Sequence, residues 1–102
     1  MADLDPLIRL RRHGLDDKRR ALAELYRQAD LLAQQKKTIE NQVEYEKKMA
    51  EQMGGLEASA YLGRYLEGAR KKIKALDQSI KKLETRITVA QEDMRTAFAE
   101  VK

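Results

Sequence analysis

A chain of 102 residues with one proline, five glycines, no cysteine and no tryptophan, 37% charged and 5% aromatic, has the make-up of long helices, not of a layered enzyme core. The lack of cysteine excludes a disulfide framework and a thiolate metal site, and suits the cytosol. No stretch approaches the roughly eighteen apolar residues of a membrane span, and Asp3 and Asp5 stand where a signal peptide would need apolar residues. One domain is expected over residues 1–102.

The formal net charge of +4 is unevenly placed. Arg9, Arg11, Arg12, Lys18, Arg19 and Arg20 stand against only Asp16 and Asp17, so the segment from Arg9 to Arg20 matches the excess of the whole chain. Such a segment is either a solvated helix face or an attractor for acidic partners, phosphate backbones or anionic membranes. A first helix is expected over about residues 5–53, with Asp5 as N-cap and Pro6 as its first residue, where a missing N–H costs nothing. Its apolar row runs Leu4, Ile8, Leu15, Leu22, Leu25, Ala29, Leu32, Ile39, Val43, Ala50 and Met53. Arg11, Lys18, Lys36 and Glu46 interrupt that row, and their stems are expected to lie along it with the charged heads in water. Gly14 costs about 1 kcal/mol relative to alanine, so a bend or fraying is expected near His13-Gly14.

Gly54-Gly55 ends the first helix, because glycine takes the left-handed conformation freely. A turn is expected over 54–59, with Leu56 folding back and Ser59 a candidate N-cap for a second helix over about 60–102. Gly63 and Gly68 weaken its first turns. From Leu66 onward, Ala69, Ile73, Leu76, Ile80, Leu83, Ile87, Ala90, Met94, Ala97 and Val101 follow at strictly alternating steps of three and four. An apolar row every 3.5 residues stays turned toward one partner as helices supercoil, which is the signature of a coiled coil. The alternative is an amphipathic helix of an ordinary bundle, but the row is narrow and flanked mostly by charged and polar residues.

Two long helices joined by a short glycine turn fold back on each other. A turn centred near Gly55-Leu56 sets Val43 opposite Ala69, Ile39 opposite Ile73, Leu32 opposite Ile80, Ala29 opposite Leu83, Leu25 opposite Ile87 and Leu22 opposite Ala90. Each pair joins an a position to a d position, as an antiparallel seam requires. The same register brings Glu40 near Arg70 and Gln28 near Arg86. The expected fold is therefore all-α, an antiparallel coiled-coil hairpin, a rod roughly 70 Å long at 1.5 Å per residue.

No catalytic constellation is present. His13 is the only histidine, flanked by Arg11 and Arg12, and Gly54-Gly55 lacks the lysine and hydroxyl residue of a nucleotide-binding loop. No enzyme activity, cofactor, metal or small-molecule substrate is expected. Arg70, Lys71, Lys72 and Lys74 form a second basic cluster, but these charges fall around the helix among acidic residues, which argues against a nucleic-acid face. Tyr45, Tyr61 and Tyr65 lie near the hairpin tip and off the seam, and tyrosine suits protein interfaces. The other reading is that they pack on neighbouring side chains. Tyr26 and Phe98 flank the seam and are expected to shield it.

The opening Leu7-Ile8-Arg9-Leu10-Arg11-Arg12, the run Leu15-Asp16-Asp17-Lys18-Arg19-Arg20 and the tip sequence Tyr61-Leu62-Gly63-Arg64-Tyr65-Leu66 resemble FliJ-type proteins of the bacterial flagellar type III export apparatus. The resemblance covers essentially the whole chain. It implies a cytoplasmic coiled-coil stalk, peripheral to the inner membrane at the flagellar base. Its partners would be the hexameric export ATPase, the cytoplasmic domain of the export gate protein and export chaperones. The gate-binding residues on the tip half would be Asn41, Tyr45, Tyr61, Tyr65 and Ala69. The ATPase-contacting segment would be Arg9, Arg11, Arg12, Lys18, Arg19 and Arg20. This chain is shorter than most members at the end of the second helix, so residues before about Arg11 would overhang. Rival classes are a self-associating coiled-coil scaffold and a basic helical nucleic-acid-binding protein.

Overall fold

The computed structural model describes residues 4–101, and side chains only as far as Glu100, so Asp3 and the expected seam side chain Val101 lie outside the described ones. Two helices account for nearly all of it: α1 over Asp5–Met53 and α2 over Leu56–Val101. They form the expected antiparallel hairpin. Two compact units divide the chain, Met1–Ala29 with Lys82–Lys102, and Asp30–Lys81.

The turn is shorter than expected. Gly54 and Gly55 alone form it, with φ of 64° and 89°. The Gly54 N–H donates to the Ala50 carbonyl at 2.9 Å, the single bond of a left-handed helix cap. The Ser59 N–H then donates to the Gly55 carbonyl at 3.2 Å. Ser59 is thus inside α2 and not its N-cap, and the cap position falls to Gly55. Leu56 does not fold back and is 87% exposed. At the other end of α1, the Ile8 N–H donates to the Leu4 carbonyl at 3.0 Å. That makes Leu4 the cap and Asp5 the first helical residue, where its carboxylate still faces the positive end of the helix dipole. Pro6 moves one place inward, still among the N–H groups that have no helical acceptor. Gly14 lies within the unbroken span of α1.

The seam of α2 follows the expected row throughout: each position from Leu66 to Ala97 is buried or half-buried. The row of α1 holds from Leu15 to Ala50, but Leu4, Ile8 and Met53 are exposed. In the unit that contains the chain ends, Leu15, Leu22, Leu25, Leu83 and Ala97 are buried. In the tip unit only Ala69 is, while Leu32, Ile39, Val43, Leu66, Ile73, Leu76 and Ile80 are half-buried. The seam there consequently offers apolar surface along its sides.

The polar interruptions each take a different course. Lys36 does not reach for water: its Nζ bonds Asp77 Oδ1 of α2 at 2.8 Å. The hydrogen bond and charge of Asp77 raise the Lys36 ammonium pKa above its ordinary value. The pair's contribution is therefore complete at neutral pH and fades only as pH rises through that raised pKa. Arg11 is exposed and its guanidinium donates to the Glu100 carbonyl at 3.4 Å, setting a cation at the negative end of α2. Lys18 is exposed, and Glu46 is half-buried and accepts from Gln42. The expected Glu40–Arg70 and Gln28–Arg86 contacts form no bonds; Gln28 turns instead to Glu24. Arg27 grips that same Glu24 through two bonds of 2.9 and 2.5 Å, and with Gln28 holds its carboxyl at about 2. This carboxylate keeps its charge until pH falls toward that value, while what it adds to stability is complete only above the ordinary value of 4.5 and is lost progressively between the two. Tyr26 is partly exposed but spans the seam in its unit, its hydroxyl accepting from Gln91 Nε2 at 2.7 Å.

Gly14, Gly63 and Gly68 lie in helix with open space where a Cβ would project. Replacing any of them by alanine should raise stability by about 0.5–1 kcal/mol. Gly54→Ala should instead lower it by about 1–2 kcal/mol, because its φ is left-handed. Thermal unfolding followed by circular dichroism checks both signs. The same measurement separates the units: Leu83→Ala, at a site 5% exposed, should cost about 2–4 kcal/mol, and Ile73→Ala clearly less.

Candidate functional site at the hairpin tip

Near the turn, α1 carries Tyr45 and α2 carries Tyr61 and Tyr65, one helical turn apart. The rings of Tyr61 and Tyr65 lie 6.3 Å apart and 31° from parallel. Tyr45 and Tyr61 are about half exposed, whereas Tyr65 is tucked against the seam. Partial burial, then the negative field of Glu46 from α1, raise the Tyr65 phenol pKa above its ordinary value. Both causes favour the neutral hydroxyl, so Tyr65 can present a hydrogen-bond donor across the whole physiological range.

Four of the five residues expected to form a gate-binding site line several depressions near the tip, with the rings of Tyr61 and Tyr65 adjacent. Tyr65 and Ala69 line a groove with Thr38, Gln42, Arg64 and Lys72. Ala69 is 6% exposed and forms the floor of that groove, belonging to the seam. Asn41 lines a separate depression with Lys37, Glu40 and Glu44. Tyr61 closes a third, a notch beside the turn made with Met49, Ala50 and Met53 and rimmed by Glu46 and Glu57. Tyr45 lines none of the three. Sequence reading missed the groove's polar wall and the notch. Gly68, which lines the groove together with Thr38, is the signal for the first, since a glycine beside a seam leaves room above it. A methionine with nothing across from it, next to the turn, is the signal for the second.

The basic segment of α1 is also less uniform than its composition suggests. Arg19 bonds Asp16 at 3.5 Å and Arg20 bonds Asp17 at 3.7 Å, both three residues apart on one helix. Arg11 is engaged with the end of α2. Among the described residues this leaves Arg9, Arg12 and Lys18 without an ion-pair partner. In the second basic cluster Lys71 pairs with Glu67, and the remaining three cations divide between depressions: Arg70 and Lys74 line one, and Lys72 lines another beside Arg64. The described residues hold no group of carboxylates, histidines or cysteines arranged to bind a metal ion, and no helix long and apolar enough to cross a membrane. No protein-family model, curated protein or solved structure matches this chain.

A variant in which Tyr65 is the only tyrosine should titrate above pH 10 in its ultraviolet spectrum. Adding Glu46→Gln should move the midpoint down, toward but not fully to the ordinary phenol value, since burial is the larger cause.

Proposed function

We propose that this chain is a non-enzymatic coiled-coil adaptor of the FliJ type, linking a hexameric flagellar export ATPase to the cytoplasmic domain of the export gate protein and engaging export chaperones. Supporting this reading are the sequence resemblance along both helices and the contrast between the two units. One unit buries Leu15, Leu22, Leu25 and Leu83 and, among the described residues, carries Arg9, Arg12 and Lys18 without an ion-pair partner; the other leaves its seam half-covered beneath tyrosines. The half-covered tip carries the reading, because a hairpin that served only to pair its own helices would have no use for an open apolar flank edged by tyrosines. Adaptor binding in the cytoplasm, at the inner face of the membrane, follows from the same proposal.

In a pull-down with the gate protein's cytoplasmic domain, Tyr45→Ala with Tyr65→Ala should lose most of the binding while helicity is kept. Unchanged capture would dispose of the tip assignment. Charge reversal at Arg9, Arg12 and Lys18 should reduce stimulation of the export ATPase more than reversal at Arg19 and Arg20, whose charges are already offset by Asp16 and Asp17. Equal effects of the two variants would count against electrostatic steering by the unpaired cations.

A further inference from the structure

The tip unit carries a second repeat beside its seam. On α1, Leu31, Gln35, Thr38, Gln42, Tyr45 and Met49 follow at alternating steps of four and three. On α2, Tyr61, Tyr65, Gly68, Lys72, Ala75 and Ser79 keep the same steps. Lys72 is the only charge among these twelve residues, in a chain that is 37% charged. The two rows lie on one side of the hairpin. Gln35, Thr38 and Gln42 share grooves with Gly68, Lys72 and Ala75, and the two grooves have Thr38, Ile39 and Lys72 in common. Met49 meets Tyr61 at the notch beside the turn.

The side across the seam is built differently. Its α1 row is Ala33, Lys37, Glu40, Glu44, Lys47 and Glu51, and its α2 row is Gly63, Glu67, Arg70, Lys74, Asp77 and Lys81. Those twelve residues hold ten charges, which suits a face turned to water. On the neutral side, Leu31, Tyr45, Met49 and Tyr61 are exposed by 43, 55, 37 and 48%. A row that repeats every 3.5 residues stays turned to one partner as helices wind together, so a third helix can cover both rows along their length. From Leu31 to Met49 the row runs about 27 Å at 1.5 Å per residue. Gly68 has open space where a Cβ would project, which leaves room for an incoming side chain.

Charge selects the occupant. Arg64 and Lys72 edge the groove on its α2 side, and among the described residues no carboxylate lines it. Neither cation has an ion-pair partner among the described residues. Glu46, in the adjoining seam, accepts from Gln42. A second copy laid on the same side would bring Arg64 and Lys72 again with no carboxylate to answer them. We propose that the neutral side of the tip unit receives a third helix from a partner protein, with an apolar row that fills the groove and carboxylates on its flank set against Arg64 and Lys72. The proposal rests on the adaptor reading in taking this part of the tip as a partner site, and adds the chemistry of the partner.

Three synthetic peptides of about eighteen residues, long enough to span the row as helix, test it. They share one apolar row and carry glutamate, glutamine or lysine on both flanks. The glutamate peptide should bind the full chain at low salt with a Kd below about 100 µM and shift the backbone amide signals of Gly68, Lys72 and Ala75. The glutamine peptide should bind about tenfold more weakly and the lysine peptide more weakly still. Arg64→Glu with Lys72→Glu should reverse the order of the glutamate and lysine peptides. Gly68→Leu, whose side chain enters open space, should keep helicity, fill the groove and abolish binding. No binding of the glutamate peptide up to about 1 mM, equal binding of the glutamate and lysine peptides, or binding that survives Gly68→Leu would each overturn the proposal. So would a wild-type dimer that Gly68→Leu turns into a monomer, since the groove then belongs to a second copy. The two readings fail separately: a glutamate peptide bound in the groove with no capture of the gate domain sinks the adaptor reading alone, and capture of the gate domain with no peptide bound sinks this one alone.

Discussion

Helices as charged as these two have little reason to leave water except along one line. Each presents a single apolar row repeating every 3.5 residues, and hiding the two rows against each other is the favourable term on which the hairpin depends. Everything else in the structure is arranged around that row. Where leucines face it, as at Leu15, Leu22, Leu25 and Leu83, the row is buried. Where alanine and glycine flank it, as around Gly68 and Ala69, the helices cannot close the space between them and grooves remain.

Charge plays a secondary and local part. Six of the seven ion pairs between described residues lie three or four residues apart on a single helix, and their side chains are largely exposed. Such pairs favour the helix that contains them without choosing its partner. Lys36–Asp77 is the exception, joining α1 to α2 in the tip unit. A lysine at a seam position weakens burial but is satisfied in only one register. Arg11 adds a third role, answering the dipole and the orphan carbonyls where α2 ends.

The proposed adaptor role would draw on this division of labour. A unit with four buried leucines can hold its form while the cations on it that have no ion-pair partner among the described residues stay open to an acidic partner. A unit with an open seam, tyrosines along it and exposed methionines can exchange one covering surface for another at small cost, since methionine and tyrosine adapt to several partners.

Periodicity alone settled the class of fold, the unbroken seam from Leu66 to Ala97 and the place of the turn, because a 3.5-residue repeat and two adjacent glycines have few alternative structural meanings. Composition also located the basic segment and the tip tyrosines. Three matters were decided only when the helices came together. The turn shrank to Gly54-Gly55, because two left-handed residues suffice to reverse the chain and the next residues gain more as helix than as loop. Lys36 found Asp77 instead of water, a pairing that depends on the distance between two helices and leaves no trace in either helix alone. Burial withdrew Ala69 into the floor of a groove, and Asn41 and Tyr61 came to line depressions of their own, because a heptad position says which way a side chain leaves its own helix but not how closely the partner helix approaches.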